Sequence, residues 1–302
     1  MDKIAVVLRA PFRCPRIPRY ASRRHEPERG TAAQSTMRRV QLFEWEDQPW
    51  LPRVFRDFMT DHLRYTHNEA MRRPVNVAIA TRLAAILART QTTQIVDLCA
   101  GGGGPIAEIG RILVEELLVP VKILLTDRFP NVTAFKALTA QSGSRISARY
   151  ESTNAMDIPI ELEGLRTMFA ALHHFGPSGV KLVLEDAVRK RAPIAAFEPL
   201  ERTFRLVMLV GLMSFVRGFT HTHRVGRLTI ARFLLTYVLP LAPAMFAWDG
   251  AVSALRMYKA EELLELARGV APTQYEWEAG RFDISGPFGT MPTTYLIGVP
   301  LY

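Results

Sequence analysis

Runs of apolar residues predict a strand, a loop, a helix and a second strand between residues 95 and 127. Residues 95–98 form a short apolar run typical of a buried strand, and apolar residues recur at helical spacing after Pro105. A second apolar run, 121–126, ends in Asp127. This order predicts one βαβ half of a nucleotide-binding α/β sheet.

Two helices are predicted before this unit. Apolar and aromatic residues recur every three or four positions over 45–66, which indicates an amphipathic helix. A second helix is predicted over about 75–89. The aromatic residues of the first helix would suit a lid over a ligand, although packing in the core is the simpler explanation of such a stripe.

A glycine cluster stands between the first strand and the next helix, in the sequence Asp97-Leu98-Cys99-Ala100-Gly101-Gly102-Gly103-Gly104. A loop that passes close to a ligand has no room for side chains, and glycine also supplies positive φ angles. A triphosphate-binding loop would need Lys and then Ser or Thr after the last glycine, where Pro105 and Ile106 stand. The pattern of a dinucleotide site, Gly-x-Gly-x-x-Gly, fits only loosely.

The cluster resembles the first motif of the class I S-adenosylmethionine-dependent methyltransferases, acid-x-Gly-x-Gly-x-Gly. Asp97, Gly101 and Gly103 are in register, and Cys99 replaces the first glycine. Asp127 matches the acid that follows the family's second strand and binds the ribose. By itself, Asp127 could instead be the N-cap of a helix.

Later segments follow the order of the same family. Residues 153–159 resemble its third motif, in which Asn154 takes the place of the acid that accepts from the adenine amino group. Asp157 is the nearby alternative. Residues 172–175 resemble the end of the fourth motif, whose opening acid is missing.

The end of the chain also follows the order of segments in this family. Residues 194–197, followed by Glu198, suit the fifth strand, and 275–278 with 294–298 suit a closing antiparallel hairpin. The resemblance covers about residues 75–300. It implies a doubly wound, mostly parallel sheet with an antiparallel C-terminal hairpin, and the apolar pattern of the chain adds N-terminal helices and a helical apolar insertion after the fifth strand.

The resemblance implies S-adenosylmethionine as cofactor, and we predict that eleven residues bind it: Asp97, Cys99, Ala100, Gly101, Gly102, Gly103, Asp127, Arg128, Asn154, Ala155 and Asp157. His173, His174 and Glu198, at strand ends, are the candidates for a catalytic base. For the two histidines, a plain strand end with one ring packed and one in water is the alternative.

The insertion, 204–250, is unusually apolar. Its first run, 206–216, is shorter than the roughly 20 residues of a membrane-spanning helix. Its second run, 228–248, is long enough but contains Arg232 and two prolines, which favours a helix buried in protein or lying in an interface. We predict a cap over the substrate, with peripheral docking to a membrane as the alternative. His221 and His223 lack metal-site spacing, so no metal is predicted.

The net charge of +9 belongs mainly to the N-terminus. Residues 1–40 contain ten basic and three acidic residues, a net of +7, so the other 262 residues carry only +2. We therefore expect no nucleic-acid partner for the domain. The tail, 1–39, is predicted to be irregular, and a basic arm, a targeting peptide and translation from an upstream start codon all remain explanations for it. It lacks the apolar core of a secretion signal.

Three segments are therefore predicted: the tail, N-terminal helices over 40–92, and a cofactor-binding domain over 93–302. The two cysteines, Cys14 and Cys99, suggest no disulfide framework, which favours the cytoplasm. The predicted function is methyl transfer from S-adenosylmethionine to a small, largely apolar acceptor. The alternatives are a membrane-associated lipid-binding or assembly protein that retains the fold, and a nicotinamide-dependent oxidoreductase.

Overall fold

Seven strands form one sheet in the part of the chain that the computed structural model describes, residues 37–286 and 289–301. The strands are β1 (Gln94–Asp97), β2 (Lys122–Leu125), β3 (Ile146–Ala148), β4 (Leu165–Phe169), β5 (Ile194–Glu198), β6 (Tyr275–Gly286) and β7 (Gly289–Pro300). Their order is β3-β2-β1-β4-β5-β7-β6. The first five are parallel, and β7 runs antiparallel to both β5 and β6. This confirms the predicted doubly wound sheet with its antiparallel hairpin.

Helices cover both faces of the sheet. They are α1 (Arg53–His67), α2 (Arg73–Thr90), α3 (Ile106–Arg111), α4 (Val132–Gln141), α5 (Pro177–Arg189), α6 (Phe204–His221), α7 (Ile230–Phe233), α8 (Leu241–Arg256) and α9 (Ala260–Val270). Short 3-10 turns form at Ala70–Arg72 and Leu172–His174. Wider π-type turns extend α3 over Ile112–Glu116 and α7 over Leu234–Val238.

The core lies on the two faces of the sheet because parallel strands are apolar on both sides. Successive residues of a strand point to opposite faces, so Ile95 packs with α2, α3 and α4, whereas Val96 packs with α5 and α9. The carboxyl ends of β1, β2, β4 and β5 meet at one edge. The predicted site residues follow these strand ends, and the fold therefore gathers most of them there.

The predicted start of the first helix is wrong. The helix predicted from residue 45 begins only at Arg53, because Pro49 and Pro52 cannot donate the backbone hydrogen bonds of a helix interior. Residues 1–36 of the predicted tail lie outside the described residues, but Arg39 is part of the fold. Its guanidinium stacks on the Tyr258 ring at 4.0 Å and donates to the backbone oxygen of His173 at 3.2 Å.

The insertion is helical, as predicted, and its last helix continues to Arg256. The expectation that its first run is too short for a membrane span is wrong, because α6 extends that run to 18 residues. Among the described residues, α6 alone has the length and hydropathy of a span. The segments 230–238 and 241–256 have the length and hydropathy of a span only when they are taken together. The chain bends by 73° between them.

A buried ion pair offers a test of the packing between β4 and α5. The Arg166 guanidinium lies 2.8 Å from the Asp186 carboxylate, and the two side chains are 1% and 0% exposed. We expect Asp186→Ala to lower the free energy of unfolding by about 3–5 kcal/mol, because it leaves the buried Arg166 cation unpaired. Glu185→Ala, at the exposed neighbouring position, is the control. Similar losses in urea unfolding for both variants would contradict this role.

Candidate active site

The glycine loop after β1 adopts left-handed backbone conformations. Cys99, Gly101 and Gly103 have φ angles of 57°, 55° and 98°. Cys99 thus holds a conformation that glycine adopts most easily, which is the physical reason why the motif usually has glycine at this position.

Helix α1 packs directly on this loop. A Cβ atom added to Gly102 would lie 2.6 Å from the backbone oxygen of Thr60 in α1, and one added to Gly103 would lie 2.1 Å from Cδ1 of Leu138 in α4. The contact with the Thr60 backbone therefore requires glycine at position 102, whereas the φ angle of 98° favours glycine at position 103.

Asp127 fastens the turn after β2 to the glycine loop. Its carboxylate accepts from the amide of Gly101 at 2.7 Å and from the amide of Phe129 at 2.6 Å, and burial raises its pKa. The N-cap of α4 is Asn131, whose side chain accepts from the Ala134 amide. The helix-cap alternative for Asp127 is therefore wrong.

Asp97 lies beneath this loop. It is 2% exposed and accepts a 2.7 Å hydrogen bond from the Thr167 hydroxyl. Burial raises the pKa of Asp97 to about 8, so its carboxyl group is largely protonated at neutral pH. Its role is to join the ends of β1 and β4. Ala100, two residues after Leu98, is fixed by its amide, which donates to the Thr126 oxygen at 3.0 Å.

The turn that follows β3 lies beside Asp127, because the Thr153 amide donates to the Asp127 backbone oxygen at 2.8 Å. Asn154 is exposed and accepts from the Met156 amide, while Ala155 is buried. Asn154 and Ala155 therefore lie in the turn next to Asp127. The exposed Arg128 follows Asp127 directly.

Asp157 belongs to a different group of contacts. Its carboxylate lies 3.3 Å from the Lys190 ammonium and 3.4 Å from the Arg189 guanidinium, at the end of α5. The Asp157 side chain is therefore paired with the end of α5, although its backbone amide donates to the Asn154 oxygen at 3.0 Å.

His173 and Glu198 form a buried pair at the ends of β4 and β5. Nδ1 of His173 lies 2.7 Å from the Glu198 carboxylate, which also accepts from the amides of Ala171 and Leu172. With its proton on Nδ1, His173 presents a free lone pair on Nε2. Nε2 is buried and has no hydrogen-bond partner, and it lies 4.0 Å from the Glu44 carboxylate.

His174 lies in an ion-pair network with the segment before α1. Its Nδ1 is 2.8 Å from Asp47 and 3.2 Å from Glu44. Burial by itself would lower the pKa of His174, but the Glu44 charge and the Asp47 hydrogen bond raise it to about 10. Arg256 of α8 completes the network, 2.6 Å from Asp47 and 3.2 Å from Glu44.

Two further acids border this network. Asp249 of α8 accepts from the amides of Trp45 and Glu46, and burial raises its pKa to about 7. Burial and the neighbouring Asp249 raise the pKa of Glu46 to about 8.

The sequence analysis missed Glu44, Asp47, Asp249 and Arg256. One signal was available for Asp249, because it is the only acidic residue between positions 202 and 260. An isolated acid on an apolar helix needs a buried polar partner. Three acids among the aromatic residues of 43–47 are a second, weaker signal.

The loop half and the histidine half of the site lie side by side. Burial raises the pKa of the Cys99 thiol, and the charges of Asp127, Asp97, Asp47 and Glu198 raise it further. Acids from both halves therefore act on one atom. The site is rich in carboxylates.

Glu44, His173 and His174 offer potential metal-ligand atoms within 4.8 Å of one another. Arg256 already lies against the Glu44 and Asp47 carboxylates. A metal ion would have to compete with this guanidinium for the same oxygens, so we interpret the group as an ion-pair network.

A cavity of about 890 Å³ lies elsewhere, among α1, α3, α4 and the connector between α6 and α7. Arg64, Arg111, Arg145 and Arg224 contribute to its wall. None of the predicted cofactor or base residues lines it, so we do not assign the reaction to it.

The strand order and the reversed β7 are those of the class I S-adenosylmethionine-dependent methyltransferase fold. No protein-family model and no curated protein matches the chain. Solved structures are similar to it. The methyltransferase domain of bacterial CtHen1-C is 14% identical, with 75% of this chain and 99% of that chain covered at a TM-score of 0.43.

Two further structures are a methyltransferase and a putative one. SibL, an S-adenosylmethionine-dependent methyltransferase, is 13% identical, with 89% and 64% covered at a TM-score of 0.46. A putative O-methyltransferase from Nostoc punctiforme is 13% identical, with 73% and 56% covered at 0.39. The chain thus spans less than two thirds of the length of these two. Such likeness concerns the fold alone.

The geometry of Asp127 gives a binding prediction. We expect Asp127→Ala to weaken S-adenosylmethionine binding roughly ten- to a hundredfold, because a charge-assisted hydrogen bond contributes on the order of 1.5–3 kcal/mol. Asp157→Ala should bind as the wild type does, since Asp157 pairs with α5. Calorimetry on both variants tests this. Unchanged affinity in Asp127→Ala would limit Asp127 to holding the loop.

The raised pKa of His174 predicts a dependence of stability on pH. The folded protein holds this proton more tightly than the unfolded chain, so the contribution to stability is complete below about pH 6.5 and is lost as the pH rises toward 10. The free energy of unfolding of the wild type should therefore fall more between pH 7 and 10 than that of His174→Gln. His223→Gln, at an exposed histidine, is the control and should follow the wild type. Parallel curves for all three proteins would refute the assignment.

Proposed function

We propose that this protein transfers the methyl group of S-adenosylmethionine to a hydroxyl or amine of a small, largely apolar acceptor, and that His173 takes the proton which the acceptor loses. The observation that carries the proposal is the His173–Glu198 pair. A buried imidazole is fixed by a carboxylate at Nδ1 and carries an unpartnered Nε2. In other enzymes, too, a carboxylate bound to Nδ1 orients a histidine whose Nε2 acts as the base.

The residues on the loop side suit a nucleoside that carries a positive charge. Asp127 retains acceptor capacity beyond its two backbone bonds, because each carboxylate oxygen has a second lone pair. Asn154 and Ala155 lie next to it. The carboxylates of Asp127, Asp47 and Glu198 near Cys99 create a negative potential, which favours a sulfonium cation. When bound, S-adenosylmethionine supplies an electrophilic methyl group, and the protein's task is alignment and exclusion of water.

His173 and Glu198 supply the proton chemistry. Nε2 of His173 accepts the acceptor's proton as the acceptor atom bonds to the methyl carbon and the carbon–sulfur bond breaks. The charge that then forms on the imidazole is stabilised by Glu198 at 2.7 Å and by Glu44 at 4.0 Å. Glu198 also keeps the ring in one orientation, since the amides of Ala171 and Leu172 fix its carboxylate.

An apolar cluster beside the network supports an apolar body for the acceptor. Phe58 and Met59 of α1 pack with Phe246 of α8, and Trp45 packs against them. The Trp45 amide also donates to Asp249, which connects this cluster to the polar network. Phe58, Met59 and Phe246 are buried, so the apolar frame of such an acceptor would meet the partly buried Trp45 at the edge of this cluster.

A nicotinamide-dependent oxidoreductase is the weaker alternative. The sixth strand of a dinucleotide-binding sheet runs parallel to its neighbours, whereas β7 is reversed here. The glycine cluster also fits the dinucleotide motif only loosely. Calorimetry with S-adenosylmethionine and with the nicotinamide nucleotides therefore decides the cofactor, and binding of a nicotinamide nucleotide alone would overturn the proposal.

The role of His173 predicts a separation of binding from turnover. We expect His173→Gln to bind S-adenosylmethionine as the wild type does and to lose roughly 10²- to 10⁴-fold in kcat with small phenolic or amine acceptors, because the base is removed. His62→Gln, at another buried histidine, is the control for packing damage. Retained turnover in His173→Gln would exclude His173 as the base, and loss of wild-type turnover on adding a chelator would make it a metal ligand instead.

A further inference from the structure

The insertion carries a wide apolar surface on its outer side. Of the 18 residues of α6, only Val207, Gly218 and His221 are buried, and 11% of its apolar window lies inside the protein. Large apolar side chains that are at least one third exposed line α6, the 228–239 segment and the start of α8: Phe204, Met208, Leu209, Leu212, Met213, Phe215, Val216, Leu228, Ile230, Phe233, Leu234, Tyr237, Val238, Leu239 and Leu241. We call this set the outer apolar face.

This face is far larger than the scattered apolar residues of an ordinary soluble surface. Leu212 is 62% exposed, and Ile230 is 81% exposed. Contiguous patches of this kind mark contact with another protein or with a membrane. The face therefore requires an explanation that the reaction chemistry does not provide.

The charges around the outer apolar face indicate the kind of partner that it binds. Residues 203–248 contain no Asp or Glu and five arginines. Arg217 pairs with Glu69 and Arg232 with Asp61, whereas Arg205, Arg224 and Arg227 are exposed. A second copy of the chain would bring like charges together. Anionic lipid headgroups would instead attract these arginines while the acyl chains receive the apolar side chains.

The packing of α6 indicates that it lies along a membrane and does not cross it. Small residues bring α6 close to α8: Cβ atoms added at Gly211 and Gly218 would meet Ala251 and Pro243 at 3.3 and 2.8 Å. Helix α8 is in turn anchored to the domain through Asp249 and Arg256. The bend of 73° between 230–238 and 241–256 also turns the second apolar run away from a straight span.

We infer that the outer apolar face docks this protein on the surface of an anionic lipid bilayer, with α6 and the 228–239 segment in the interface. Helix α8 then has two functions. Its outer surface continues the face at Leu241, and its inner surface reaches the site with Asp249 and Arg256. Docking would place the site next to the bilayer, so that an acceptor dissolved in the lipid could be used; this last step rests on the proposed function, whereas docking does not.

Co-sedimentation of the full chain with lipid vesicles tests the inference. We expect binding to vesicles of phosphatidylcholine mixed with phosphatidylglycerol, and weaker binding to phosphatidylcholine alone. The paired variant Leu212→Ser/Ile230→Ser should lower the partition into mixed vesicles roughly tenfold or more, because two apolar side chains no longer enter the lipid. The matched control is Leu118→Ser/Ile160→Ser, at two residues 73% and 70% exposed outside the insertion. It should bind like the wild type.

The outcomes separate the explanations. Equal vesicle binding by both paired variants would overturn the inference, because binding would then not depend on the outer apolar face. A dimer in light scattering that only the Leu212→Ser/Ile230→Ser variant dissociates would overturn it in favour of a second copy. Calorimetry with S-adenosylmethionine on the same proteins reports on the proposed function separately, because docking requires no cofactor.

Discussion

The fully buried carboxylate of Glu198 is the constraint on which the site depends. A buried charge must be matched by donors, and Glu198 obtains three: the amides of Ala171 and Leu172 and Nδ1 of His173. These contacts fix the turn after β4 and orient the imidazole. They also tie the ends of two parallel strands together at the edge of the sheet where the glycine loop begins. Because this one buried carboxylate needs hydrogen-bond donors, the same contacts fix the strand ends and the orientation of the candidate base.

The polar network around His174 is assembled from distant parts of the chain. Glu44 and Asp47 come from the segment before α1, His174 follows β4, and Arg256 ends α8. His174 lies 127 residues after Asp47, and Arg256 lies 82 residues after His174. The network closes the insertion and the N-terminal segment over the sheet edge. Because the participating groups are buried, removing one would leave its partner's charge uncompensated.

Helix α8 separates two environments. Asp249, Val252 and Arg256 are buried on its inner side, whereas Leu241 and Trp248 are exposed. Helix α6 packs on α8 through glycines and turns most of its own apolar side chains outward. The insertion therefore does more than cap the site, because its polar contacts face the domain and its apolar surface faces away from it.

The sequence by itself determined the elements whose signals are local. Apolar runs located β1, β2 and β5, and the glycine cluster and Asp127 located the loop beside them, since strand periodicity and positive φ angles depend on neighbouring residues. Local patterns could not reveal that Asp157 pairs with α5, that α1 packs on Gly102, or that Glu44 and Asp47 face His174. The three residues of β3 were missed because so short a strand has no periodicity. Only the tertiary structure decides such features, because they depend on contacts between segments far apart in the chain, and burial then sets the charges and pKa values of the groups it brings together.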